Sequence, residues 1–271
     1  MIIKARHSAD VVLCKTMEEN TRGKDFVVGD IHGCVDLLMQ KLDDIGFDEQ
    51  NDRLFSVGDL VDRGPDSIGS LELLRKPWFH ACLANHEAMM LCYFGAYSSS
   101  CHSPADFFRN GGTWALNNES DEAGANLSDL LERVAQLPLA YHVQGKRPFN
   151  VCHADISQYR DVDLIEYNNK KIRRSDADNM VWSRDVLYAI SKNPKEAKIG
   201  EKTVAIDSAQ PFLDGLSLTY CGHTVVRKLV LTQSHLHIDT GAYQLVTRGQ
   251  YDFDMTVIEN TATQEALDAR P

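Results

Sequence analysis

The feature that most constrains this chain is a recurring unit in which a short apolar run ends in a polar loop, glycine-bearing in most cases. Phe26-Val27-Val28 runs into Gly29-Asp30-Ile31-His32-Gly33, and Leu54-Phe55-Ser56-Val57 runs into Gly58-Asp59-Leu60-Val61-Asp62-Arg63-Gly64-Pro65. Trp78 to Leu83 leads to Ala84-Asn85-His86-Glu87, and Phe149-Asn150-Val151-Cys152 leads to His153-Ala154-Asp155. Leu216 to Cys221 precedes Gly222-His223-Thr224, Leu236-His237-Ile238 precedes Asp239-Thr240-Gly241-Ala242, and Met255 to Ile258 closes the series. Short apolar runs bounded by turn residues read as buried strands. Helical patterns follow several of them. Val35, Leu38, Leu42 and Ile45 share one face with Gly46 as the stop, Asp66 or Ser67 caps a helix carrying Ile68, Leu71 and Leu74, and Met89 to Phe94 reads as a third helix. Strand–loop–helix units of this kind build α/β layers with ligands at the strand C-termini. One domain is expected over residues 1–259, with long loops or caps at 95–126 and 189–215 and a frayed polar tail at 260–271.

Composition removes several classes of function. The 28 Lys and Arg against 39 Asp and Glu give a net charge of −11, which argues against a nucleic-acid binder held by phosphate neutralisation. The seven cysteines form no C-x-x-C pair and read as reduced, buried thiols. No secretory leader pattern and no apolar run of about 18 residues occurs, so a cytoplasmic protein with no membrane partner is expected.

The strand-end loops carry the residue types that phosphate-ester cleavage with two divalent cations requires: oxygen ligands, neutral imidazoles, cationic clamps and an acid. Asp30 and His32, two apart on an extended loop, point the same way. Asp59 adds a carboxylate able to bridge two cations, Asn85 an amide oxygen, and His153 and His223 imidazole nitrogens. Mixed oxygen and nitrogen ligation suits Mn²⁺, Fe or Zn better than Ca²⁺.

Together these segments resemble the phosphoprotein phosphatases of the calcineurin-like metallophosphoesterases, in particular the bacteriophage lambda-type serine/threonine branch. Gly29 to Gly33, Gly58 to Gly64 and Asn85-His86-Glu87 look like its three signature blocks. Cys152 to Asp155, Trp182-Ser183-Arg184, Gly222-His223-Thr224 and Asp239 to Ala242 resemble its later blocks, in the family's order. Asn110-Gly111-Gly112-Thr113-Trp114 resembles a glycine-rich segment of the lambda-type branch. The resemblance implies an α/β/β/α sandwich with a dimetal site in loops at the strand C-termini. One cation would be held by Asp30, His32 and Asp59, and the second by Asp59, Asn85, His153 and His223. The cations, most simply two Mn²⁺, would share a hydroxide that attacks phosphorus directly. Arg63 and Arg184 would clamp the phosphoryl group, with Asn85 also beside the substrate. His86 would protonate the leaving group, oriented by Asp62. The implied substrate is a phosphorylated protein, with phosphotyrosine and small aryl phosphates also turned over.

Two other readings share these residues. A diadenosine-tetraphosphate hydrolase has the same ligands, but that branch usually carries Asp after Asn-His, where Glu87 stands here. A catalytically weak phosphate-binding module is suggested by Leu83-Ala84, because the family usually has Arg-Gly there and a Cβ at 84 would strain a glycine-only backbone. Asp239 is expected beside the ligands, His235 and His237 as satisfied strand residues, and Lys170 to Arg174 as a solvated turn. Cys221 and Arg227 match a C-x₅-R spacing, but a phosphate-cradling loop needs more glycine than Gly222 alone.

Overall fold

Successive residues of the expected strands face two different cores. Phe26, Val28 and Leu54 join a cluster with the helical Leu38, Leu42 and Leu71. Val27 and Phe55 face the other way, into a cluster with Phe149, Val151, Leu218 and Tyr220. An apolar residue on both faces is what a sheet needs when helices cover one side and a second sheet the other. The computed structural model, which describes residues 10–95, 103–118 and 121–269, has this arrangement.

The four-stranded sheet runs in the order Val257–Glu259, Asp25–Val28, Arg53–Ser56, Phe79–Ala81, and its last three strands are parallel. The eight-stranded sheet runs Cys14–Met17, Ala140–Val143, Phe149–Cys152, Leu218–Cys221, His235–His237, Leu229–Thr232, Lys202–Ile206, Lys195–Ile199. Within it Phe149–Cys152, Leu218–Cys221 and His235–His237 are parallel neighbours. Each sheet therefore delivers three consecutive strand C-termini to one edge, and the loops carrying the candidate ligands leave from those ends.

Helices Val35–Asp44, Ser67–Glu72, Asn85–Tyr93 and Asp121–Val134 supply Leu38, Leu71, Met89 and Leu130 to the cluster outside the smaller sheet. Asp66 caps the second of these, its carboxylate accepting from Gly69 N at 2.7 Å. Among the described residues no helix is long and apolar enough to cross a membrane.

Several local expectations are corrected. Ile45 is 43% exposed, because the first helix ends at Asp44. The third helix begins at Asn85 rather than Met89, so Asn85 and His86 sit in its first turn. Within 95–126 the described residues form helix Pro104–Arg109, the 3₁₀ segment Gly112–Asn118 and the start of Asp121–Val134. Region 189–215 holds the hairpin Lys195–Ile199 and Lys202–Ile206 at the edge of the large sheet. Residues Asn260–Asp268 form a helix with Leu267 buried, not a frayed tail. Lys171–Arg173 is an exposed strand paired antiparallel with Asp10–Val12, where a turn was expected.

Candidate metal centre

Five candidate residues hold a left-handed backbone: His32 (φ 46°), Asp59 (φ 50°), Asp62 (φ 72°), Arg63 (φ 69°) and His223 (φ 69°). Such geometry in non-glycine residues costs on the order of 1–3 kcal/mol each and persists only where surrounding bonds enforce it. Here the loops enforce one another. Asp59 O accepts from Ile31 N (3.1 Å) and His32 N (2.7 Å), and Leu60 O accepts from Gly33 N (2.8 Å). From the helix behind, the Glu87 carboxylate accepts from the amides of Asp59 (3.0 Å), Leu60 (2.8 Å) and Val61 (3.3 Å). A Cβ on Gly222 would overlap the Asp30 carboxylate, so the glycine permits the loop ending in His223 to close on Asp30.

The imidazoles are fixed in one tautomer each by backbone carbonyls. His153 Nδ1 donates to Val57 O (3.0 Å), His223 Nε2 to Trp182 O (3.2 Å) and His32 Nδ1 to Val61 O (2.9 Å). The opposite nitrogens therefore present lone pairs. Those of His153 and His223 lie 3.2 Å apart and 2.7 and 3.2 Å from Asn85 Oδ1, with Asp59 Oδ1 3.5 Å from His153 Nε2. Three lone pairs and a carboxylate facing one point repel each other unless a cation stands between them, so these residues fit a metal ion. On the other side of Asp59, His32 Nε2 lies 3.5 Å from Asp59 Oδ2 and 4.0 Å from Asp30 Oδ2. Arg63 Nη1 donates to that nitrogen at 2.7 Å, a positive group where a cation would otherwise sit.

The electrostatics agree with this division of roles. Burial, with the His153 charge second, pushes the His223 imidazole down to about 3. Burial likewise lowers His32 and His153, so all three imidazoles are neutral at neutral pH and able to ligate a cation. Burial, Asp239 and Asp59 raise Asp30. For Asp59 burial is outweighed by the imidazoles of His153, His86 and His32, and its carboxylate is held below the usual range. Asp239 is pushed up to about 6 by burial and accepts from Gly241 N at 2.9 Å. It borders Asp30, as expected.

His86 Nδ1 lies 2.6 Å from Asp62 Oδ2, both residues fully buried. Its Nε2 has no hydrogen-bond partner among the described residues and lies 3.9 Å from Asp59 Oδ2. His32, Asp59 and His86 each offer a ligand atom within 4.8 Å of the others. His86 can thus serve as a ligand when neutral or as a proton donor when charged. Arg63 is exposed, with its guanidinium 5.0 Å from the centroid of the Tyr243 ring. Arg184 is half-buried next to Ser183, whose hydroxyl donates to Asp155 at 3.3 Å.

The structure thus brings all the ligand candidates, Asp62, His86 and Arg63 to one place, and Arg184 follows two residues after Trp182, whose carbonyl holds His223. Ala84 is extended (φ −115°, ψ 176°), which any residue adopts, so the expected strain is absent. Its methyl fits because Gly58 (φ 101°) faces it; a Cβ there would come within 2.5 Å. His235 is satisfied by Gln233 O and Ile156 N, but among the described residues His237 Nδ1 pairs with Cys221 Sγ at 3.3 Å and its Nε2 has no partner, contrary to expectation. Cys221 is fully buried, and burial raises its thiol above the usual range, which disfavours a thiolate nucleophile. Sequence reasoning gave Glu87 and Trp114 no role beyond their motifs. Glu87 holds the Asp59 loop, and Trp114 Nε1 donates to Asp62 Oδ1 at 2.7 Å.

Comparison with known proteins accords with the geometry. The calcineurin-like phosphoesterase family matches residues 26–227. Serine/threonine-protein phosphatase 1 of Salmonella typhimurium is 34% identical over 218 residues, 80% of this chain and 86% of that protein. The symmetrical bis(5'-nucleosyl)-tetraphosphatase of Yersinia pestis is 40% identical, but over only 75 residues, 27% of this chain and 26% of that one. A crystal structure of the cold-active protein-tyrosine phosphatase of a psychrophilic Shewanella species superposes with a TM-score of 0.52 at 14% identity, covering 95% of this chain and 81% of its own, and shares the fold. A family match across most of the chain, on a sandwich whose strand ends converge on a candidate cation site, means that this protein belongs to the calcineurin-like metallophosphoesterases.

Proposed function

We propose that this protein hydrolyses phosphoserine and phosphothreonine esters of other proteins, using two divalent cations, preferentially Mn²⁺. The observation that carries the reading is the set of bare donors on His153, His223 and Asn85, within 2.7–3.2 Å of one another, next to the buried His86–Asp62 pair. Asp30, His32 and Asp59 would hold one cation, and Asp59, Asn85, His153 and His223 the other. When bound, the cations supply Lewis acidity and an acidified water for attack on phosphorus. The protein's own groups do the rest. Arg63 and Arg184 hold the phosphoryl oxygens, for which a guanidinium offers paired donors. Asp62 keeps His86 oriented through Nδ1, so that Nε2 faces Asp59 and can pass a proton to the departing alkoxide. Mixed oxygen and nitrogen donors suit Mn²⁺, as they also suit Fe or Zn.

The protein-phosphatase reading over the dinucleotide one is supported by the extent of the Salmonella match and by Glu87 after Asn85-His86. The free state of all six described cysteines supports a cytoplasmic setting. The test is the purified, Mn²⁺-loaded protein on a phosphoserine and phosphothreonine peptide panel beside diadenosine tetraphosphate. Phosphopeptides are expected to give the higher kcat/KM, with loss of activity in chelator and recovery on adding Mn²⁺. A higher kcat/KM for the dinucleotide would overturn the substrate assignment, and full activity after chelation and dialysis would overturn the cation mechanism.

A further inference from the structure

We propose that Trp114 is a positioning residue for the proton donor: its indole N–H holds the Asp62 carboxylate so that the second oxygen faces His86. The inference rests on the reading of His86 as the acid. Asp62 is fully buried, and each of its oxygens has one strong partner, Trp114 Nε1 at 2.7 Å on Oδ1 and His86 Nδ1 at 2.6 Å on Oδ2. The side chain of a buried aspartate can rotate about its last torsion, so a single partner leaves two arrangements open. A second donor on the opposite oxygen leaves one.

The segment carrying Trp114 is fitted to this place. Gly111 (φ 114°) lies against the Asp62-Arg63 backbone, where a Cβ would come within 2.7 Å of Arg63 N and 3.2 Å of Asp62 Cβ. Gly112 lies against the ring of Phe107, where a Cβ would come within 2.5 Å, and that ring meets Trp114 edge-on at 6.1 Å between centroids. Asn110 Nδ2 donates to Asp106 O at 2.8 Å, tying the segment to the helix before it. The two glycines of Asn110-Gly111-Gly112-Thr113-Trp114 thus permit close approach, and the tryptophan supplies the polar contact. From the other side, Asp62 N donates to Ser67 Oγ at 2.9 Å, so backbone and carboxylate are each held from outside the dyad.

Without the indole N–H, a buried carboxylate oxygen loses its partner and the carboxylate is free to turn, which costs His86 its orientation rather than its presence. The loss should then fall on the step that needs a proton. An alkoxide leaving from phosphoserine needs one as the bond breaks, whereas nitrophenolate hardly does. Trp114→Phe, at metal content matched to the native enzyme, should lower kcat on a phosphoserine peptide about 10-fold with KM unchanged, and change p-nitrophenyl phosphate hydrolysis by less than about 2-fold. Site-specific replacement of Trp114 by its benzothiophene isostere, which keeps the shape and removes the N–H, should give the same selectivity even if Trp114→Phe folds poorly. Equal losses on both substrates, or none, in the isostere protein would overturn the proposal. His86→Asn, measured alongside, separates the two levels. Selectivity in His86→Asn with none in the Trp114 proteins overturns the positioning role alone, while its absence in His86→Asn removes the acid assignment and this proposal with it.

Discussion

Glu87 offers a quantitative test of how the metal loop is held. Its buried carboxylate accepts three backbone amides, those of Asp59, Leu60 and Val61, at 3.0, 2.8 and 3.3 Å. Burial, with the Asp59 charge second, pushes the Glu87 acid up to about 8, yet both oxygens receive amide protons, which a carboxylate satisfies and an acid does not. A cation on Asp59 removes the opposing charge and favours the same form. Glu87→Gln keeps the shape but turns one oxygen into an NH₂ group facing an amide N–H, so at least one bond becomes a donor–donor contact. Losing one hydrogen bond to a charged acceptor costs about 2 kcal/mol. For a chain of this size that lowers the melting temperature by about 4–8 °C. Because Asp59 is held at φ 50° by these bonds, metal affinity should fall as well, by about 10–100-fold, as when other groups supporting a ligand are altered. Calorimetry on the chelated protein reads the first effect and titration with Mn²⁺ the second. A variant melting within about 1 °C of the native protein and binding Mn²⁺ equally well would refute the argument that Glu87 holds the loop.

Three further outcomes are expected. Gly222→Ala forces Asp30 aside, because the new methyl would overlap its carboxylate, and should weaken Mn²⁺ binding about 10-fold or more in titration calorimetry; unchanged affinity would show that Asp30 can move without cost. Ala84→Gly should cost about 0.4–1 kcal/mol in denaturant unfolding and bring no gain in turnover, since Ala84 is already extended at φ −115°; a rise in stability would reveal strain there. In the metal-free protein the His223 imidazole stays neutral down to about 3 while the unfolded chain takes up its proton near pH 6.5, so this group's contribution is full above that pH and is lost as pH falls towards 3. His223→Gln should therefore flatten the stability–pH curve between those limits by up to about 1.4 kcal/mol per pH unit; an unchanged slope would mean that the imidazole is not held neutral.

The sequence by itself determined the layered fold and the kinds of atom at its edge. Apolar residues on both faces of Phe26-Val27-Val28 and Leu54-Phe55 demand cover on two sides, and that demand is local enough to be read from neighbouring residues. The order of Asp30, His32, Asp59, Asn85, His153 and His223 after successive strands likewise places six donors at strand ends. What lay outside its reach had two physical causes. The polar stretches hid regular structure because their apolar residues cover one face only. Helix Asp121–Val134 signals itself through Leu127, Leu130, Leu131 and Val134, at its far end, and strands Lys195–Ile199 and Lys202–Ile206 bury few side chains at a sheet edge. The chemistry of the donors depended on partners that leave no trace in side-chain identity. The carbonyls of Val57, Val61 and Trp182 choose the imidazole tautomers, and any residue at those positions would present the same oxygen. Asp62 acquires the Trp114 N–H from 52 residues away and Glu87 caps amides 26–28 residues before it, contacts that only the closing of the sandwich brings within hydrogen-bond reach.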